Sequence, residues 1–352
     1  MKTQAVVQLS LLLLLQVLFK TPVFAQQSRS QDYTFHSGME GTVYAPADRT
    51  GRHITFIDRM DYMPGTDDDA GFNIAHRGNG AYSVKVVDGN SRSHINFRLS
   101  TWELPDYVGF ERHMITLKGK NDSESLRMLV PEGCKAIALI ELLTYWPDTD
   151  DDYGYAVRAF GAEPYLIVTA VSDFGTSSSQ LHLRVTMLYW PADVQVEFYD
   201  PARLVATMKG GEKVTIPQGY LSLATPTAYV TDASKYKYED FDRLLAAIYN
   251  QSFAGKPPVD IYGYVENVGN VAKGVAQAVS GAITPQDAIK LAKDVATLLK
   301  TSITMGGPDD RDDDFWLETT SSSNSIGVRI GDGNKFSMAE VTVWMFAFPP
   351  SQ

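Results

Sequence analysis

An internal repeat of aspartate-rich segments constrains this sequence more than any other feature. Residues 62–72 (YMPGTDDDAGF) align without a gap on residues 145–155 (YWPDTDDDYGY), with seven identical positions. A third copy, residues 308–316 (PDDRDDDFW), keeps the proline and the aspartate triplet with one residue inserted between them. Repeats of this kind indicate duplicated structural units. We therefore expect related turns to occur three times, on related sheets.

A second short motif follows the acidic segments. Residues 84–90 (VKVVDGN) follow the first segment, and residues 328–334 (VRIGDGN) follow the third. The aspartate of each motif comes 19 or 18 residues after the last aspartate of its triplet. We expect Asp88 and Asp332 to approach the acidic segments from a neighbouring turn. Asp173 holds a comparable place after the middle segment, with a weaker match.

The acidic segments have the chemistry of calcium sites. Adjacent carboxylates repel one another where water is partly excluded, and a bound cation removes that cost. Ca²⁺ accepts about 6–8 oxygen ligands in flexible geometry, and the absence of His and Cys from the triplets disfavours zinc. The sequence therefore predicts Ca²⁺ as the cofactor. The candidate metal ligands are Asp67, Asp68, Asp69, Asp88, Asp148, Asp150, Asp151, Asp152, Asp310, Asp312, Asp313, Asp314 and Asp332.

A plainer interpretation of the acidic segments stays open. Asp and Gly are common turn residues, and most acidic turns are simply solvated. The recurrence of the triplet with its Pro, Thr and aromatic neighbours favours metal binding, although Arg311 can neutralise part of the third copy. The spacing does not match an EF-hand loop, in which the ligands alternate over about twelve residues and end with Glu.

Hydrophobic periodicity predicts a mainly β fold. Apolar residues alternate with polar ones in residues 94–100 and again in residues 181–187, which is typical of strands with one buried face and one wet face. Residues 135–146 and 340–348 are apolar on nearly both faces, and we expect them to be central strands. The predicted fold is two antiparallel β-sandwich-like units, an inserted helical hairpin and a C-terminal β segment.

The predicted domain boundaries follow these patterns. Residues 26–130 and 131–235 are the two predicted β domains, and residues 304–352 are a β segment that completes a sheet. Residues 236–303 are predicted to be helical, with a hairpin at 265–303 whose apolar residues recur at three- and four-residue steps. The small residues of this hairpin suit close packing on the protein. They are also compatible with a membrane-inserting arm, which the charged residues of the hairpin disfavour.

The N-terminal residues are typical of an export signal. Lys2 precedes an apolar run over residues 5–19, and small residues end the segment at Ala25. The run is shorter than the ~20 residues that a spanning helix needs, which disfavours an uncleaved anchor. We expect cleavage after Ala25 and a secreted or periplasmic protein.

The net charge limits the classes of partner, and the cysteine content limits how the fold can be stabilised. The net charge of the whole chain is −11, and loss of two lysines with residues 1–25 makes it −13. An acidic surface argues against nucleic acid and anionic membranes as partners. The single Cys134 cannot form an internal disulfide, so a large core must stabilise the fold.

No catalytic motif stands out, and no catalytic residue is assigned. The six histidines fall in no HExxH pattern, and no GxSxG sequence occurs. The preferred hypothesis is a secreted, non-enzymatic calcium-binding protein that presents a surface to a protein or glycan partner. The alternatives are a secreted hydrolase with structural calcium sites and a pore-forming protein that uses residues 265–303.

Overall fold

The computed structural model describes residues 28–46, 52–63, 71–87, 93–119, 122–146, 154–162, 164–173, 178–207, 210–230, 317–322, 325–330 and 338–349. These residues are mainly β-strand, as predicted, and none of them lies in a helix. The predicted signal, residues 1–25, and the predicted helical residues 236–303 lie outside the described residues.

Nineteen strands occur in the described part of the chain. They are β1 (Ser28–His36), β2 (Glu40–Tyr44), β3 (Arg52–Met63), β4 (Gly71–Gly78), β5 (Ala81–Val87), β6 (His94–Leu104), β7 (Gly109–Lys118), β8 (Asp122–Leu129), β9 (Cys134–Trp146), β10 (Gly154–Ala162), β11 (Tyr165–Asp173), β12 (Gln180–Pro191), β13 (Glu197–Thr207), β14 (Gly210–Gly211), β15 (Lys213–Thr215), β16 (Leu221–Val230), β17 (Leu317–Ser322), β18 (Ser325–Ile330) and β19 (Met338–Ala347).

The strands form three sheets, and every pairing in the described part is antiparallel. The first sheet has the order β1-β6-β3-β17-β18-β15, and the second has the order β14-β13-β19-β16-β10-β11-β8. The third sheet has the order β2-β5-β4-β9-β12-β7. Each sheet combines strands from more than one of the ranges predicted as β segments. For example, β8 of the first range pairs with β11 of the second.

The two long apolar segments are central strands, as predicted. β9 lies between β4 and β12, and β19 lies between β13 and β16. Residues 137–145 of β9 and residues 339–347 of β19 are all buried, so neither strand has a solvent-exposed face over these lengths.

The expectation of a wet face is wrong for β12. Its apolar residues are buried as predicted, but Arg184 is only 4% exposed and Thr186 is fully buried. Arg184 is tolerated there because it faces the carboxylate of Glu141, directly opposite on β9. A polar residue in an alternating strand therefore does not mark a solvent face in this sheet.

One hydrophobic core connects the three sheets. Trp102 of the first sheet packs edge-on against Phe346 of the second, with ring centroids 5.3 Å apart. The backbone N–H of Ile57 in the first sheet donates to the Glu141 carboxylate of the third at 2.8 Å. Burying an aromatic side chain of this size stabilises a fold by about 1.5–3 kcal/mol. The sheets are thus joined by core packing and by polar contacts.

The hairpin between β4 and β5 is built from residues that suit a tight turn. Gly78, Asn79 and Gly80 all have positive φ, at 89°, 52° and 72°. Glycine and asparagine adopt this left-handed conformation at low cost, which is why they occur at tight hairpins.

Candidate functional site

All thirteen predicted metal ligands lie outside the described residues. The strands that flank them are described, and they fix where each acidic segment leaves and rejoins a sheet. Residues 64–70 of the first segment connect Met63 of β3 to Gly71 of β4, and residues 147–153 of the second connect Trp146 of β9 to Gly154 of β10. The third segment ends just before Leu317 of β17. Each of the first two segments therefore passes from one sheet to another.

The flanks of the first two acidic segments lie against each other. Phe72, the second residue after the connection 64–70, pairs with Tyr145, the second residue before the connection 147–153. A Cβ atom on Gly71 would lie 2.9 Å from the Cα of Trp146. Only glycine fits this approach, which gives Gly71 a role in strand packing.

The flanks of the third segment join the same group. Leu317 pairs with Tyr62, next to the last residue of β3. Val230, the last described residue before residue 317, pairs with Gly154, the first residue after the connection 147–153. The described ends of all three acidic segments are therefore connected by neighbouring strand pairings.

The strands that carry the second motif also begin or end in this group. Val87, immediately before Asp88, pairs with Gly71. Ile330, two residues before Asp332, pairs with Leu317. These pairings place the described strand ends before Asp88 and Asp332 in the same group, and the aspartates themselves lie outside the described residues.

A cluster of buried aromatic rings lies beside these flanks. Tyr62, Tyr145 and Tyr229 contact one another, with ring centroids 5.5 Å apart for Tyr62–Tyr145, 5.3 Å for Tyr145–Tyr229 and 6.5 Å for Tyr62–Tyr229. Phe72 packs on Tyr62 at 5.3 Å, and Tyr155 packs on Tyr145 at 5.7 Å. The aromatic residues that the repeat retains thus form a shared core where the acidic segments begin and end.

A chain of polar side chains crosses the third sheet near the same strand ends. The Asn73 amide donates to Thr144 Oγ1 at 3.0 Å, and Thr144 Oγ1 is 3.1 Å from Nδ1 of His182. Burial lowers the pKa of His182, and the Lys118 ammonium lowers it further. His182 Nε2 has no hydrogen-bond partner among the described residues, so a proton there would be poorly solvated. No sequence pattern indicates this row of polar side chains, because its members are far apart along the polypeptide.

Each sheet also contains a buried arginine–carboxylate pair. Arg98 donates to Asp58 at 2.8 Å in the first sheet, and Arg184 donates to both oxygens of Glu141 at 2.6 and 2.7 Å in the third.

The pair in the second sheet borders a small cavity. Arg158 lies 2.9 Å from Glu340, beside a cavity of about 50 Å³ that Arg203 also lines. A space of that size holds only a few water molecules.

Burial of Arg184 is compensated by the charge and hydrogen bonds of Glu141. Burial by itself disfavours the charged guanidinium, but the charge and hydrogen bonds of Glu141 outweigh it and hold the pKa of Arg184 above its ordinary value. The pair therefore stays ionised, and its two groups satisfy each other. These pairs serve the architecture, and we assign them no catalytic role.

The described residues contain neither a further metal-ligand cluster nor a candidate membrane-spanning helix. No group of three or more His, Cys, Asp or Glu side chains there is arranged to hold a metal ion. No helix in the same residues is long and apolar enough to cross a bilayer.

No protein-family model, no curated protein sequence and no solved structure matches the chain.

Proposed function

We propose that the protein is a secreted, non-enzymatic calcium-binding β protein that presents its acidic segments to a protein or glycan partner. The single observation that carries this proposal is the pairing among the strand ends that flank the acidic segments. Phe72 pairs with Tyr145, Leu317 with Tyr62, and Gly154 with Val230. Chain connectivity then brings three aspartate-rich segments to neighbouring strand ends.

Electrostatics gives the reason for a cation. Two carboxylates about 5 Å apart repel by about 3 kcal/mol at an effective dielectric constant of about 20, and each segment carries several. Segments that start and end at adjacent strands add repulsion between segments to the repulsion within each one. A divalent cation turns this cost into attraction, and Ca²⁺ suits a site made of carboxylate and backbone oxygens.

Calcium would also act as a cross-link between sheets. The first segment joins the first and third sheets, and the second joins the third and second sheets. An ion held between segments would fix the sheets relative to one another in a chain whose only cysteine is Cys134. A rigid, calcium-loaded set of turns loses less conformational entropy when it binds a partner, which favours affinity.

The test is calcium titration by calorimetry, combined with thermal melting in calcium and in chelator. Binding to the folded protein should raise the melting temperature through mass action. The double variant Asp150→Asn/Asp152→Asn should lose at least one site and part of the thermal shift. Asp106→Asn/Asp193→Asn is the matched control, because both residues are exposed and lie outside the acidic segments. Equal stoichiometry in the two double variants would rule out the second segment as a calcium site.

A further inference from the structure

The same scheme of strand pairing occurs three times in this chain. Strands β1–β6, β7–β12 and β13–β19 are three consecutive sets, each with six main strands; the two-residue β14 is an extra strand in the third. In each set the first and third strands pair with the sixth, and the second and fourth strands pair with the fifth. The pairs in chain order are β1·β6, β3·β6, β2·β5 and β4·β5; β7·β12, β9·β12, β8·β11 and β10·β11; and β13·β19, β16·β19, β15·β18 and β17·β18.

The sets are joined in a closed cycle. The fourth strand of each set pairs with the third strand of the next: β4 with β9, β10 with β16, and β17 with β3. This accounts for every described pairing except the short β13·β14 contact. The third strands of the three sets also contact one another, and they carry Tyr62, Tyr145 and Tyr229 of the aromatic cluster. Such a cycle has the form of an approximate threefold arrangement within one chain.

The connections that follow the third, fourth and fifth strands of each set repeat in length, with one exception. Between the fourth and fifth strands there are two residues in every set, and between the fifth and sixth there are six, six and seven. Between the third and fourth strands there are seven residues in each of the first two sets, 64–70 and 147–153. In the third set the same connection is 86 residues long, 231–316.

The extra length lies on one side of the acidic motif. The first two connections begin with the proline of the motif, Pro64 and Pro147, and the third copy of the motif begins at Pro308. Residues 231–307 therefore precede the whole of the third copy, residues 308–316. The three sets span 77, 83 and 151 residues, and removing these 77 residues from the third leaves 74. The third set then has the size of the others.

We infer that the chain is a triplicated six-strand unit and that residues 231–307 are a separate module inserted at the third acidic connection. Every strand described in the three sheets lies outside residues 231–307. The described residues on either side of the module lie close together, because Val230 pairs with Gly154 and Leu317 pairs with Tyr62, whose ring contacts Tyr229.

The first test is a deletion of residues 231–307 that joins Val230 directly to Pro308, as Met63 is joined to Pro64. We expect the shortened protein to keep the far-UV circular dichroism of a β protein. Its cooperative melt should be at the same or a higher temperature, because a shorter connection costs less closure entropy. A control variant exchanges residues 147–153 for residues 64–70, which keeps the connection length. A folded control beside a shortened chain without a cooperative melt counts against the inference.

The second test uses the intact protein, so it does not depend on expression of the deletion. Limited trypsin digestion should cut first within residues 231–307, which contain lysines from Lys235 to Lys300. The two products should co-elute on size exclusion with an unchanged circular dichroism spectrum, because β19 of the C-terminal product lies between β13 and β16 of the other. Separation of the products, or loss of the β signal on cleavage, would overturn the inference.

Discussion

A Cβ atom placed on Gly71 would lie 2.7 Å from the carbonyl oxygen of Tyr145, closer than side chains and backbone approach each other in proteins. This contact brings the first strand after one acidic segment against the last strand before the other. Gly71 is thus needed where β4 meets β9.

Replacing Gly71 with alanine should separate these strands. We expect Gly71→Ala to lower the free energy of unfolding by about 1–3 kcal/mol, because the contacting atoms are backbone and cannot rotate away. The calcium-induced rise in melting temperature should shrink as well. Gly38→Ala is the control, since its Cβ meets no atom within 4 Å although its φ is 71°. A calcium response weakened equally in both variants would contradict the prediction.

The buried pair of Glu141 and Arg184 should be costly to break from one side. Glu141→Ala leaves a buried guanidinium without its carboxylate and removes the acceptor of the Ile57 N–H. We expect a loss of about 3–5 kcal/mol in urea unfolding. The surface pair of Glu111 and His113 gives the comparison, because Glu111 is 50% exposed and Glu111→Ala should cost under about 1 kcal/mol. Similar losses for the two carboxylates would show that burial of the pair has little energetic effect.

The aromatic cluster should depend on Tyr145, which contacts rings from four strands. Truncation by Tyr145→Ala should lower the free energy of unfolding by about 3–5 kcal/mol, since the cavity is lined by packed rings that cannot fill it. Tyr44→Ala removes a tyrosine that is 63% exposed and should change stability by no more than about 0.5 kcal/mol. The measurement is equilibrium unfolding followed by tyrosine and tryptophan fluorescence. A small effect at Tyr145 would mean that the rings pack loosely.

The pKa of His182 predicts a pH dependence with a definite sign. Because the folded protein holds this pKa below the ordinary value of 6.5, the unfolded chain binds more protons as the pH falls below that value. The stability that His182 contributes is therefore complete above about pH 6.5 and is lost progressively as the pH falls toward its lower folded pKa.

Removal of the titrating ring should flatten that dependence. Urea unfolding in chelator at pH 7.5 and pH 5.5 should show a smaller drop for His182→Gln than for the wild type. Exposed His36→Gln serves as the control and should keep the wild-type drop. An unchanged drop in His182→Gln would place the pH sensitivity elsewhere.

Strand positions were predictable from the sequence where periodicity is strong. The alternation of Ile95, Phe97 and Leu99 predicted β6, and all three side chains are buried. The apolar stretches at 135–146 and 340–348 predicted two central strands. Local patterns suffice in these cases, because the side-chain period follows from the backbone itself.

The sheet order and the polar network were not predictable in this way. The pairing of Leu317 with Tyr62 spans most of the chain, and nothing in either neighbourhood specifies the other. The burial of Arg184 was missed because an arginine in an alternating strand indicates solvent until its partner Glu141 is known. The tyrosines that flank the acidic motif were informative only once their shared contacts were known.

The central place of β19 has a consequence for how the chain is made. Until residue 347 has left the ribosome, the facing edges of β13 and β16 have no strand between them. The second sheet therefore cannot complete its pairing before β19 is synthesised, and the facing edges of β13 and β16 stay unpaired until then.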